Sequence, residues 1–256
     1  MIWIDDTNDE HAIRQPIGMS RGRVPRDYEK VPLCSQPGAA PFSFPLIPRA
    51  EWPDRIADME RTKSSLVDVY RDSGIPPLDQ NGTNYCWCNA VVSAIHIVRA
   101  WNNLPYIPLS PASVAAPIKG YRNQGGWGGE ALEYIVANGI APQSLWPANA
   151  IDRRYDNEQS RAARADHKVA EFEDMEPNNQ EQLMTALFNR VPVPVGINRW
   201  SHEILALAPA MKGKKFGYWI LNSWGEWEDH GLAVLDLDWG DPDDQCGVRV
   251  VSATAA

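Results

Sequence analysis

The spacing of apolar residues changes character at about residue 190, and that change constrains the fold more than any other feature. Ahead of it, apolar residues recur three and four apart. Behind it, they fall in short runs rich in valine, isoleucine, leucine and aromatics. Helical segments are predicted over 51–73, from Glu51-Trp52-Pro53 to a stop at Gly74, and over Cys86–Trp101. Further helices are expected from Ser110-Pro111 to about Gly120, from Glu130 to Asn138 with Gly139 closing it, and after Glu176-Pro177-Asn178-Asn179. Strands are predicted over 191–197, 203–207, 217–221, 231–237 and 248–251. Helices in the first half and strands in the second imply an α+β protein in two lobes.

The helix at Cys86–Trp101 has almost no polar face, since Ala90, Val91, Ala94, Ile95, Ile97, Val98 and Trp101 surround it, so it is central and buried. Residues 148–166 are charged and read as a surface loop or helix. Residues 1–50 carry prolines at 16, 25, 32, 37, 41, 45 and 48 and no sustained periodicity, which makes them an extended arm ahead of a domain over 51–256. Such an arm is either a partly disordered leader or a segment that wraps the domain or docks a partner.

A net charge of −9 over 256 residues speaks against nucleic acid as a partner, and Lys212-Gly213-Lys214-Lys215 reads as a solvated turn between strands. No run approaches the roughly 20 apolar residues of a membrane helix, and the acidic start at Met1–Asp6 has no features of a secretory signal. Four cysteines, two of them only two residues apart, do not suggest a disulfide framework, which favours a reducing, cytoplasmic setting. Cys86-Trp87-Cys88 supplies no four-ligand metal site, and neither a metal nor a cofactor is expected.

Cys86 opens the buried helix, where the helix end lowers a thiol's pKa. Thiol-based acyl transfer also needs an imidazole, a group that holds it, and donors for an oxyanion. His202 at a strand edge, Asn222 at a strand end and Gln80 ahead of the cysteine offer one candidate for each. His96 is expected to be structural, His11, His167 and His230 to lie at the surface, and Cys88 to be a packed core residue.

Asp79-Gln80, Cys86-Trp87, Gly125-Gly126, Ser201-His202 and Tyr218-Trp219-Ile220-Leu221-Asn222-Ser223-Trp224-Gly225 occur in that order, followed by Trp227, Gly231 and Cys246-Gly247. Together they resemble the papain family of cysteine peptidases over roughly residues 75–256. The resemblance implies a helical left lobe and an antiparallel, β-barrel-like right lobe, with the active site in the cleft between them. It implies Cys86 as nucleophile, His202 as general base and acid, Asn222 as the group orienting His202, and Gln80 as oxyanion donor. Trp224 would cover the histidine–asparagine hydrogen bond. Gly125-Gly126 would pair with an extended substrate, and Tyr85 and Ser201 would border it.

The implied activity is hydrolysis of peptide bonds in a peptide or protein substrate. The same triad also fits transfer to an amine, and the fold fits a structural or assembly protein such as a virion component, with the arm meeting an assembly partner. Departures from the family are Thr83 and Asn123, where half-cystines are usual, and Asn84 and Tyr85, where glycine and a small residue are usual, so that Tyr85 is expected to crowd the cleft. Only Asn198-Arg199-Trp200-Ser201 separate the strand ending at Ile197 from His202, which leaves one wall open or rebuilt from the arm. The arm lacks the helical length of the family's inhibitory prodomain, so control by zymogen cleavage is not expected.

Overall fold

A computed structural model describes residues 2–9, 13 and 18–251. The helices are α1 (Trp52–Thr62), α2 (Leu66–Ser73), α3 (Cys86–Trp101), α4 (Ala112–Ile118), α5 (Gly128–Asn138), α6 (Glu158–Arg164) and α7 (Gln180–Phe188). The strands are β1 (Trp3–Ile4), β2 (Ala39–Pro41), β3 (Val169–Met175), β4 (Val193–Ile197), β5 (His202–Lys212), β6 (Lys215–Leu221), β7 (Leu232–Asp236) and β8 (Asp244–Val251). The single helix predicted over 51–73 is two. Lys63 takes a left-handed conformation, and Ser65 opens α2 with a capping box to Asp68, which stops one helix and starts the next.

Among the described residues the strands form one sheet in the order β1-β7-β6-β5-β4-β8-β3-β2. The fold is α+β as expected, and the sheet expected to be antiparallel and barrel-like is mixed and not closed. Its two edges are taken by short arm strands that pair in parallel, β1 on β7 and β2 on β3. Pairing from β3 through β8, β4, β5 and β6 to β7 is antiparallel. The lysine-rich stretch at 212–215 is the turn of the β5–β6 hairpin.

Two apolar cores give the molecule its two lobes. One gathers α2, α3, α4 and α5. The other lies between α1, α7 and the inner strands. Strand β5 divides them: Leu205 and Leu207 face the helical core, and Ile204 and Ala206 face the other, as alternation along a strand requires. Helix α3 is buried from Cys86 through Arg99, as predicted. Among the described residues no helix is long and apolar enough to cross a membrane.

The family's missing disulfide has a polar substitute. Asn123 Oδ1 accepts from the Asn84 backbone N–H at 2.6 Å, and Asn123 Nδ2 donates to the Gly82 carbonyl at 2.9 Å. Asn84 Nδ2 donates back to the Asn123 carbonyl at 3.1 Å. The loop before Cys86 is thus tied to the loop before Gly125 without a covalent bond. All four cysteines are free.

Candidate active site

Cys86 is the first residue of α3 and is completely buried. Its sulfur lies within reach of the backbone N–H groups of Trp87 and Glu203, which places it against the start of β5. His202 is the first residue of β5 and Asn222 follows β6, so the hairpin itself sets the imidazole beside its amide. Gln80 is brought alongside by a short two-way ladder: its N–H donates to the Ser223 carbonyl at 2.9 Å, and the Gly225 N–H donates to the Leu78 carbonyl at 3.0 Å.

Hydrogen bonds settle the orientation of these side chains. Asn222 Oδ1 accepts from the Ser223 backbone N–H at 2.8 Å, so the atom 2.8 Å from His202 Nε2 is an oxygen. Nε2 therefore carries the proton in the neutral ring, and Nδ1 keeps the lone pair. Among the described residues Nδ1 is buried without a hydrogen-bond partner. The Ser223 hydroxyl donates to Gln80 Oε1 at 2.6 Å, leaving Gln80 Nε2 as the donor toward the cleft. The Trp224 ring stacks on His202, with centroids 4.7 Å apart and planes at 24°.

The arm runs through this cleft. Gln80 Nε2 donates to the Ser20 carbonyl at 2.7 Å and to the Thr83 carbonyl at 2.8 Å. The Gly22 and Arg23 N–H groups donate to the Ser201 carbonyl at 3.1 and 3.0 Å. Gly126 accepts from the Val24 N–H at 2.8 Å and donates to the Gly22 carbonyl at 2.9 Å, a parallel bridge centred on Arg23. A Cβ on Gly22 would lie 2.1 Å from the Asn84 carbonyl oxygen, so only glycine allows this approach. Residues 20–24 are called the strap below. The short Asn198–Ser201 connection is lined by it: Arg21 Nη1 donates to the Trp200 carbonyl and Arg23 Nε to Asn198 Oδ1, both at 2.9 Å.

Burial opposes charge on both the thiol and the imidazole. Loss of water pushes Cys86 up to about 12, and Glu203 adds to the shift. The same burial lowers His202 to about 4, against the hydrogen bond that Nε2 donates to Asn222.

Of the sequence-predicted residues, His202 meets Asn222 and Trp224, Gln80 is joined to Ser223, Cys86 lies against the backbone of Glu203, and Ser201, Gly125 and Gly126 line the strap. Tyr85 is placed differently from the expectation. Its ring meets Trp87 edge-on at 6.3 Å, and its hydroxyl donates to the Arg122 carbonyl at 2.9 Å, so it is absorbed into the helical core. His96 is buried and accepts from the Leu109 N–H, and His230 is exposed beside Glu226. His167 is half-buried rather than at the surface, and His11 lies outside the described residues. Sequence reasoning missed Ser223, Glu203, Asp244 and the strap itself. The available signals were a lone glutamate in the otherwise apolar start of β5 and the basic cluster Arg21-Gly22-Arg23 in an acidic chain.

Comparison with known proteins decides the family. The model of the papain family cysteine protease matches residues 70–208, more than half of the chain. The chain belongs to the papain family. Among solved structures it is similar to xylellain, a cysteine protease from Xylella fastidiosa, at TM-score 0.64 and 14% identity, over 91% of this chain and 97% of that one. It is similar to bromelain from Ananas comosus at TM-score 0.57 and 20% identity, over 69% and 95%. Digestive procathepsin L 3 from Tenebrio molitor larval midgut matches at TM-score 0.57 and 16% identity, over 96% and 82%. These likenesses concern the fold. No curated protein sequence matches the chain.

Proposed function

We propose that the chain is a cysteine peptidase that hydrolyses peptide bonds through a thioester acyl-enzyme, and that the strap keeps its cleft closed until displaced. One observation carries this reading: a peptide segment of the chain itself lies in the cleft, its Ser20 carbonyl on Gln80 Nε2 and its backbone paired with Gly126. A substrate that replaced the strap would meet the same donors and acceptors.

The chemistry follows from the side-chain orientations. His202 Nδ1 takes the Cys86 proton, and the sulfur attacks the substrate carbonyl carbon. Gln80 Nε2 and the Cys86 backbone N–H, unpaired at the helix start, receive the oxyanion. The imidazolium gives its proton to the departing amine. A water then attacks the thioester with Nδ1 as base, which returns the thiol. Asn222 keeps Nε2–H in place throughout, and the stacked Trp224 ring shields that hydrogen bond. Departure of the strap admits water, which eases the burial that holds both reacting groups neutral.

The test uses the full chain. Gly22→Val cannot keep the strap seated, because of the Asn84 carbonyl. Folded Gly22→Val protein is expected to hydrolyse an unfolded protein substrate and to carry an acyl group on Cys86 by mass spectrometry. Adding Cys86→Ala lowers the rate by about 10⁴-fold. A folded, strap-free variant that cuts nothing and traps no acyl group on Cys86 overturns the reading.

A further inference from the structure

Four arginines are buried among the described residues, and one of them lacks an acid. Arg23 lies beside Glu203 and Asp244, Arg26 beside Asp174, and Arg164 beside Asp156. Arg99, in the last turn of α3, is the most deeply buried of the four at 2% exposure. Burial draws its pKa down, and among the described residues no carboxylate offsets that. Its Nη2 donates to the Pro105 carbonyl at 3.2 Å, and its buried Nε has no hydrogen-bond partner there.

The same side chain lines a cavity of about 360 Å³. That lies within the roughly 300–1,000 Å³ of small-molecule sites. Ile75 and Leu104 give it apolar walls, and Tyr106, 40% exposed, stands on its outer side. The lining holds no acidic residue. His96, three residues before Arg99 on the same helix face, is the second buried polar group of the lining. Its Nε2 accepts from the Leu109 N–H at 3.2 Å, so the neutral ring carries its proton on Nδ1. Among the described residues that buried Nδ1 has no hydrogen-bond partner. Burial lowers His96 to about 4 against the pull of the Ile107 backbone, which keeps the ring neutral.

We propose that this cavity binds a small carboxylic acid with an apolar body, its carboxylate paired with Arg99. The site lies roughly 20 Å along α3 from Cys86, at 1.5 Å per residue, and it does not depend on the peptidase reading. A buried, unpaired guanidinium is costly. The chain meets that cost with its own carboxylates at Arg23, Arg26 and Arg164, and at Arg99 it leaves open space. An anion from outside completes the set. Charge and lining choose the anion. Arg99 supplies one positive charge and the neutral His96 ring adds none, so a monoanion balances the site. Inorganic phosphate would bring excess charge and leave the apolar walls unused.

The test uses the full chain, with benzoate, hexanoate, their amides benzamide and hexanamide, and inorganic phosphate as probes. Isothermal titration gives the affinity, and methyl NMR of Ile75 and Leu104 gives the place. The expected result is saturable binding of at least one acid that shifts both methyl signals, with its amide and phosphate weaker by about tenfold or more. Arg99→Met, which keeps a long apolar stem, should lose about tenfold or more of the acid affinity. Leu104→Trp fills the cavity from its loop and should block binding with Arg99 in place, which covers loss of folding in the first variant. The proposal is overturned if folded wild type binds neither acid at about 10 mM, or if the acid affinity survives in folded Arg99→Met or Leu104→Trp. Amides that bind as tightly as the acids overturn the role of Arg99, and phosphate that binds as tightly overturns the ligand class.

Discussion

The strap and the segment that follows it are parts of one arm, each fixed by a fully buried arginine, yet the two arginines are held very differently. Arg26 grips Asp174 with two nitrogens at 2.6 and 2.8 Å and donates to the Val31 and Pro32 carbonyls. Its guanidinium also lies between the rings of Tyr28 and Trp127, 4.6 and 4.7 Å from their centroids. Arg23, three residues earlier, has one shared nitrogen at 3.3 and 3.4 Å and one hydrogen bond at Nε. Beyond Arg26 the arm adds β2 to the sheet, whereas the strap has one isolated bridge. The difference teaches that the arm is pinned by β1 and again from Arg26 onward, with the strap as the less firmly held stretch between them. Charged hydrogen bonds in fork geometry are about twice as strong as neutral ones, so the chain can lose the strap and keep the anchor.

The largest expected effect is at the anchor. Arg26→Ala leaves Asp174 buried without its partner and should cost about 3–5 kcal/mol of stability by urea unfolding. Hydrogen exchange should show lost protection in β2 as well as in the strap. If Arg26→Ala loosens the strap alone, the anchor view fails.

Arg23→Ala should cost less, about 1–2 kcal/mol near pH 6, because Glu203 can hold a proton. Burial pushes the Glu203 carboxyl up to about 8, against the pull of the Arg23 guanidinium. Two guanidiniums face three carboxyls in this cluster, Glu203, Asp244 and Asp174, and a proton on Glu203 balances it. Equal losses from Arg23→Ala and Arg26→Ala would erase the contrast.

The same proton gives a pH signature. A carboxyl with a raised folded pKa stabilises fully below its unfolded value and loses that contribution as pH rises through the folded one. Between the ordinary carboxyl value of 4.5 and about 8, wild-type stability should therefore fall relative to Glu203→Gln. The relative slope can reach about 1.4 kcal/mol per pH unit, the limit for one proton. Parallel stability curves for the two proteins would show that Glu203 does not titrate in this window.

The smallest effect concerns the loop clamp. Asn123→Ala removes hydrogen bonds to Asn84 and Gly82 at an exposed site and should cost about 1 kcal/mol. A loss of several kcal/mol would mean that the clamp carries the weight of the absent disulfide.

The parts of this molecule that are legible in sequence are those whose cause is local. Helix α3 announces itself by apolar residues on every side, and β4 through β7 by short β-rich runs between turns. The proposed site rests on Gln80, Cys86, His202 and Asn222, whose family order needs no knowledge of contacts. What was not legible has its cause elsewhere in the chain. Strand β3 carries Glu173 and Asp174 in buried positions, and the cause lies in Arg249 and Arg26 beside them. The break between α1 and α2 is written in Ser65 and Asp68, a capping box that follows the polar stretch Arg61-Thr62-Lys63-Ser64. The arm has no period because it buries isolated arginines rather than an apolar face. The cleft departs from expectation for the same reason: Tyr85 found a carbonyl at Arg122, and the strap took the place beside the nucleophile.

The central claim is that Cys86 is a competent nucleophile covered by a displaceable strap. Iodoacetamide labelling of the full chain, mapped by peptide mass spectrometry, tests it most directly. The account predicts slow modification of Cys86 in the wild type, where it is fully buried, and fast modification in folded Gly22→Val protein. Cys88 and Cys246, buried in the cores, should stay unmodified in both. Equal Cys86 labelling in the two proteins, or none in a variant whose strap has left the cleft, would contradict it.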